Sequence, residues 1–272
     1  MIQATTGGQR VLIGRLGLGA LLLLLTPLLV IACTSTSQAG STPRTLTVAA
    51  ASDLQVAFTS IGQLFEEETG AKVVFQFGSS GNLAKQIENG APVDLFASAS
   101  EDYVRQLALK GAVVAETEQL YALGRIVLVS YKNHYPQVAR LEDLLRPEVK
   151  HVSLPNPEHA PYGVAAREAL VAAGLWEQVK PKVVYGENAR QALQFVQTGN
   201  AEAGIVALSI AVVPEVNISP IDDSLYRPLR QSLAVVKGTR QEQLAREFAA
   251  FVNGPRGSPI MERYGFTVPE GR

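Results

Sequence analysis

The chain has 272 residues, of which 47% are hydrophobic and 18% charged, with no long polar tract. Such a composition buries a core and excludes a disordered chain, and the length suits one large domain or two of ordinary size. The formal charge is −1, and no concentrated Lys/Arg run with interleaved aromatics occurs, which argues against a nucleic-acid partner.

Residues Met1 to Ala32 carry Arg10 and Arg15, no acidic residue, and an apolar run from Leu16 to Ala32 broken only by Gly17, Gly19, Thr26 and Pro27. This is the pattern of a signal peptide over residues 1–32. Its end, Val30-Ile31-Ala32-Cys33, resembles the bacterial lipobox, in which the cysteine is acylated and becomes the mature N-terminus. Cys33 is the only cysteine in the chain, so no disulfide framework exists, and its place directly after the apolar run suits lipidation. The alternative is an uncleaved membrane anchor. Residues 33–44, rich in Ser, Thr, Gly and Pro, read as a flexible tether. Both readings put the folded part outside the cytoplasmic membrane. Loss of Arg10 and Arg15 takes the 24 basic residues to 22 against 25 acidic ones, a charge of −3.

From Leu46 onward, short β-rich runs alternate with amphipathic stretches, the grammar of an α/β protein with mainly parallel sheets. Thr45 to Ala51 is an apolar strand, and Leu54, Ala57, Phe58, Ile61, Leu64 and Phe65 recur as one helical face requires. A strand over 73–77 leads through Gly78-Ser79-Ser80-Gly81 into a short helix bearing Leu83 and Ile87. A strand over 93–97 follows, and Ser100 opens another helix. A second α/β unit begins near Arg125, with strands over 126–130, 151–154, 182–185 and 204–207 and helices over 164–173 and 189–198. The last segment offers one strand, 232–236, and one helix, 241–251, too little to fold alone. It is expected to return to the first unit, giving a hinged two-lobe body: 45–122 plus 228–272 as lobe one, 123–227 as lobe two.

Ser52 follows a strand, with Gln55 three residues later, the spacing of a capping box; alone it reads as a helix N-cap. Ser79 and Ser80 place further hydroxyls at a second strand-to-helix junction, and in open α/β sheets such junctions share the edge where ligands bind. The second lobe supplies Pro161-Tyr162-Gly163 and Glu187-Asn188-Ala189 at matching junctions. Four helix starts facing one cleft can wrap a small dianion, because orphan N–H groups and the helix dipole both favour negative charge.

The segment Ala49-Ala50-Ala51-Ser52, the run Phe77-Gly78-Ser79-Ser80-Gly81-Asn82-Leu83-Ala84-Lys85-Gln86-Ile87 and the run Gly90-Ala91-Pro92-Val93-Asp94-Leu95-Phe96 resemble the periplasmic molybdate-binding proteins of ABC importers. Asn156-Pro157-Glu158-His159-Ala160-Pro161-Tyr162-Gly163 and Arg263-Tyr264-Gly265-Phe266 extend the likeness over nearly all of 46–266. The resemblance implies a type II periplasmic-binding-protein fold, with two α/β lobes and a hinge, holding an oxyanion by hydroxyls and backbone amides without a cationic side chain. By motif position Ser52 and Ser80 give hydroxyl and amide bonds, and Tyr162 and Ala189 each a backbone N–H. Where that family commonly places a tyrosine hydroxyl, this chain has Ala207, and Ser209 is the nearest replacement donor. The implied cargo is molybdate or tungstate, and the implied partners are the permease and ATPase subunits of an importer. The chain is expected to act as a monomer, with no cofactor, no catalysis and no metal except molybdenum inside its oxyanion.

Two alternatives stand beside this: a binding protein for another anion, such as sulfate or a small carboxylate, and a lipid-anchored serine hydrolase using Ser80 or Ser52. No serine sits in Gly-x-Ser-x-Gly, and no base partner is visible. His134, His151 and His159 lack metal-ligand spacing, and Glu66-Glu67-Glu68 reads as a solvated helix face.

Overall fold

The computed structural model describes residues 44–133 and 137–269. The signal segment, Cys33, the tether up to residue 43, and His134 lie outside the described residues. Among the described residues no helix is long and apolar enough to cross a membrane, and no group of three or more His, Cys, Asp or Glu is placed to hold a metal ion.

β1 (Thr45–Ala51) passes through a 3-10 turn, Ser52–Leu54, directly into α1 (Gln55–Thr69). Then come β2 (Lys72–Gly78), α2 (Ser80–Glu88), β3 (Leu95–Ser98), α3 (Glu101–Leu109) and β4 (Gln119–Gly124). The chain next runs through β5 (Ile126–Tyr131), β6 (Val152–Pro155), α4 (Pro161–Ala172) and α5 (Trp176–Val179). After these lie β7 (Val183–Gly186), α6 (Ala189–Gln197), β8 (Ala203–Ala207), α7 (Leu208–Ala211) and β9 (Val216–Pro220). It closes with β10 (Leu229–Val235), α8 (Glu242–Asn253) and α9 (Ser258–Arg263).

Two five-stranded sheets result, ordered β2-β1-β3-β10-β4 and β7-β6-β8-β5-β9. The fold is therefore a two-lobe α/β body. Both sheets are mixed: β2-β1-β3 and β7-β6-β8 are parallel, whereas β10 and β5 run against both of their neighbours. The parallel triplets are the part the sequence pattern announces; the antiparallel strands β10 and β5 are added to them. Parallel neighbours are joined by helical crossovers and point their carboxyl ends at the cleft. A strand that arrives from the other lobe without a crossover enters from the cleft and must run the opposite way. β4 hands over to β5 after Arg125 alone, and the return segment lies between Pro220 and Leu229.

The first lobe's core is aromatic. Phe248 from α8 packs edge-on to Phe65 at 5.2 Å and to Phe58 at 5.9 Å between ring centroids, with Phe75 at 6.1 Å. Phe58 and Phe65 lie seven apart on α1, so one face meets both the sheet and the returning helix, as i, i+7 spacing requires. This explains why the C-terminal segment joins the first lobe.

Candidate anion-binding site

A small cavity between the lobes is lined from the first by Ser52, Asp53, Ser79 and Ser80 and from the second by Tyr162 and Ala189, with no Lys, Arg or His in its wall. It thus gathers the four helix starts read from the sequence.

Ser52 is buried, and no side chain caps the turn it opens; the capping-box pairing with Gln55 does not form. Ser80 Oγ accepts the Ala99 N–H at 2.9 Å, so its own proton is left to donate elsewhere. Ser79 occupies the N-cap of α2 without a side-chain cap bond. Its Oγ is buried and without a partner. An N-cap serine normally satisfies a helix N–H, so nothing in the local sequence sets Ser79 apart from an ordinary cap.

In the second lobe α4 starts with Pro161 at its first position, which has no N–H to place. The Gly163 and Val164 amides bond back to Ala160, leaving the Tyr162 N–H without an acceptor among the described residues. At α6, Asn188 Oδ1 accepts the Gln191 N–H at 3.0 Å while Gln191 Oε1 accepts the Glu187 N–H at 2.7 Å. That reciprocal cap leaves the Ala189 N–H unclaimed. Oriented orphan amides of this kind are anion donors.

Ser209 is placed differently from the other four residues. It is absent from the cavity wall, and its Oγ donates to the Asp53 carbonyl at 2.8 Å. Its proton is committed to the protein, because α7 turns its second residue toward the 3-10 turn after β1. Ala207 is buried where the tyrosine was expected.

Asp53 was not read as a site residue. Its carboxylate Oδ2 accepts from Gln231 Nε2 at 2.9 Å, and the same amide donates to the Tyr162 hydroxyl at 2.9 Å. Tyr121 donates to Gln231 Oε1 at 2.8 Å and to the Ser98 carbonyl at 3.0 Å. Burial pushes the Asp53 carboxyl up to about 6, against the opposing hydrogen bonds from Gln231 and Tyr162. Burial and the nearby carboxylate push the Tyr121 and Tyr162 hydroxyls well up, so both stay protonated donors. No sequence spacing links residues 53, 121, 162 and 231.

The lobes also touch where the Gly81 N–H donates to the His159 carbonyl at 2.9 Å. A larger groove of about 450 Å³ opens beside the cavity, between α3 and α4. Both of its arginines are already paired, Arg227 with Glu168 at 2.6 Å and Arg230 with Glu101 at 3.0 Å. A small tetrahedral ion is better matched by the close ring of neutral donors than by this open, self-paired surface.

Comparison with known proteins agrees with this architecture. Residues 46–267 match the family described as bacterial extracellular solute-binding protein. The molybdate-binding protein ModA of Azotobacter vinelandii is 36% identical over 226 residues, covering 80% of this chain and 88% of that protein. A putative ABC transporter substrate-binding lipoprotein, YvgL, of Bacillus subtilis is 35% identical over 247 residues, covering 89% and 94%. Among solved structures, an Azotobacter vinelandii periplasmic molybdate-binding protein superposes with a TM-score of 0.77 at 27% identity, over 83% of this chain and all of that one. The chain belongs to the bacterial extracellular solute-binding protein family.

Proposed function

We propose that this protein captures molybdate outside the cytoplasmic membrane and delivers it to an ABC importer. The observation that carries the reading is the convergence of four helix starts, two from each lobe, on one cavity without a cationic side chain. Ser52 and Ser80 supply hydroxyl and amide donors, Tyr162 and Ala189 supply backbone N–H groups, and the unpartnered Ser79 Oγ adds a donor that the motifs did not single out. The names of the relatives, molybdate-binding proteins and a substrate-binding lipoprotein, support the cargo and the transport role.

Neutral donors suit a carrier that must let go. Charge-assisted bonds are roughly twice as strong as neutral ones, so a cationic clamp would hold the ion too long. A ring of donors is satisfied only by an ion offering acceptors on every side. Protonated phosphate would set a donor against a donor, and each unpaired buried group costs ~1–3 kcal/mol. Tungstate fits the same donor set. Cys33 anchors the protein to the membrane by lipid, the folded part works as a monomer, and it hands cargo to permease and ATPase subunits. This role involves no catalysis.

The test is thermal melting of the chain lacking residues 1–33, with molybdate, tungstate, sulfate and phosphate added in turn. Ligand at a hundredfold excess over Kd stabilises by ~2.7 kcal/mol, so molybdate and tungstate raise the midpoint and phosphate does not. Ser52→Ala with Ser80→Ala removes that shift while melting stays cooperative. Absence of any shift with molybdate or tungstate in the unmodified protein would overturn the reading.

A further inference from the structure

We propose that the Asp53–Gln231 pair of the first lobe is the positioning element through which the second lobe is held closed on the anion, Gln231 donating to the Tyr162 hydroxyl and the Asp53 carbonyl accepting from Ser209. The inference deepens the anion-binding reading above and rests on it.

Each of two bonds joins the lobes: Gln231 Nε2 of the first donates to the Tyr162 hydroxyl of the second at 2.9 Å, and Ser209 Oγ of the second donates to the Asp53 carbonyl of the first at 2.8 Å. These bonds therefore exist only when the lobes meet. Within the first lobe, Gln231 Nε2 fixes the carboxylate at 2.9 Å, and Tyr121, itself donating to the Ser98 carbonyl, fixes Gln231. The Gln231 amide is thus held in place before the second lobe arrives. Tyr162 joins two events in one residue: it lines the cavity at the start of α4, while its hydroxyl, on the far end of the ring, accepts from Gln231 Nε2 at 2.9 Å. Seating the anion against its backbone N–H and engaging the hydroxyl are the same movement. Gly124 makes room for it, since a Cβ at that position would collide with the Tyr162 hydroxyl and lie 2.6 Å from Gln231 Nε2. Burial keeps the Tyr162 proton on its oxygen. Ser209, expected from the sequence to touch the anion, takes its place here as the second grip.

The experiment compares the full chain, solubilised in detergent, with Tyr162→Phe, Ser209→Ala and the double variant. Molybdate association and dissociation rates are read by stopped flow. Interlobe distance is read from fluorophores on Leu109→Cys and Val212→Cys, both exposed, in a Cys33→Ser background. Tyr162→Phe speeds dissociation by roughly 10-fold to 100-fold and Ser209→Ala by about fivefold, with association changed by less than about threefold. At saturating molybdate the double variant shows a longer distance than the unmodified protein, which loss of a mere anion ligand would not produce. Unchanged dissociation and unchanged distance in the double variant would overturn the latch. An unmodified protein that ignores molybdate, tungstate and sulfate counts against the anion reading instead. The latch is then judged by the ligand-free distances, which must lengthen in the double variant and which overturn it if they match.

Discussion

Replacing Asp53 by Asn tests the electrostatics beneath the cavity. Burial raises the folded-state value of this carboxyl from 3.8 to about 6. Between those two values the folded protein keeps the proton and the unfolded chain has lost it, so stability falls as pH rises through the window. A gap of about two pH units at 1.36 kcal/mol each is ~3 kcal/mol, fully lost above the folded value. Asp53→Asn cannot ionise and lacks this slope, whatever constant offset the new amide introduces. Asp143, Glu202 and Asp222 are held below the usual carboxylate range by backbone and charged partners, and their contributions run the other way in acid. Those contributions are common to both proteins and cancel in the difference. Unfolding free energies from urea titrations between about pH 3 and about pH 7 should therefore shift in the variant's favour by ~3 kcal/mol as pH rises. Curves that stay parallel would refute the assignment of a buried, reluctantly ionised carboxyl.

Gly81→Ala puts a methyl 2.9 Å from His159 Cα and 2.7 Å from the Tyr103 hydroxyl. Backbone cannot yield as a side chain does, so molybdate affinity by calorimetry should fall tenfold or more, roughly 1.4 kcal/mol, with ligand-free melting little changed; wild-type affinity would contradict this. Phe248→Ala opens a cavity among Phe58, Phe65 and Phe75 and should cost ~3–5 kcal/mol, seen as a midpoint lower by on the order of 10 °C with the molybdate shift retained. A loss under about 1 kcal/mol would mean the core repacks freely. Ser79→Ala removes no internal hydrogen bond, so stability should hold while affinity weakens about fivefold; unchanged affinity would remove Ser79 from the donor shell.

Much of this was legible in the sequence because it rests on local rules. The 3.6-residue recurrence of Ala57, Phe58, Ile61 and Phe65 specified α1, and the paired junctions at Ser52, Ser80, Tyr162 and Ala189 come together around one cavity. What escaped depended on contacts between distant segments. β9 is five residues ending in Pro220 at a sheet edge, where a proline is tolerated because no neighbour needs its N–H; nothing local announces such a strand. β4, reading Gln-Leu-Tyr-Ala-Leu-Gly, was likewise passed over, although Tyr121 within it anchors the Asp53 network. Ser209 was placed against the anion by its distance from the expected tyrosine, yet α7 is a single turn, and its orientation is set by packing that spacing does not encode.

The two connections between lobes lie side by side. Gly124, at the end of the outgoing strand, pairs with Leu229, at the start of the returning one, and Arg125 of the first connection is bonded to Asp223 of the second at 3.1 Å. Two pins set next to each other define a single axle: rotation about it is cheap, while sliding or twisting would stretch one strand against the other. Two adjacent connections favour one opening coordinate. Under the proposed role, a partner that feels the separation of the lobe tips reads one number, and that number reports whether the pocket is full.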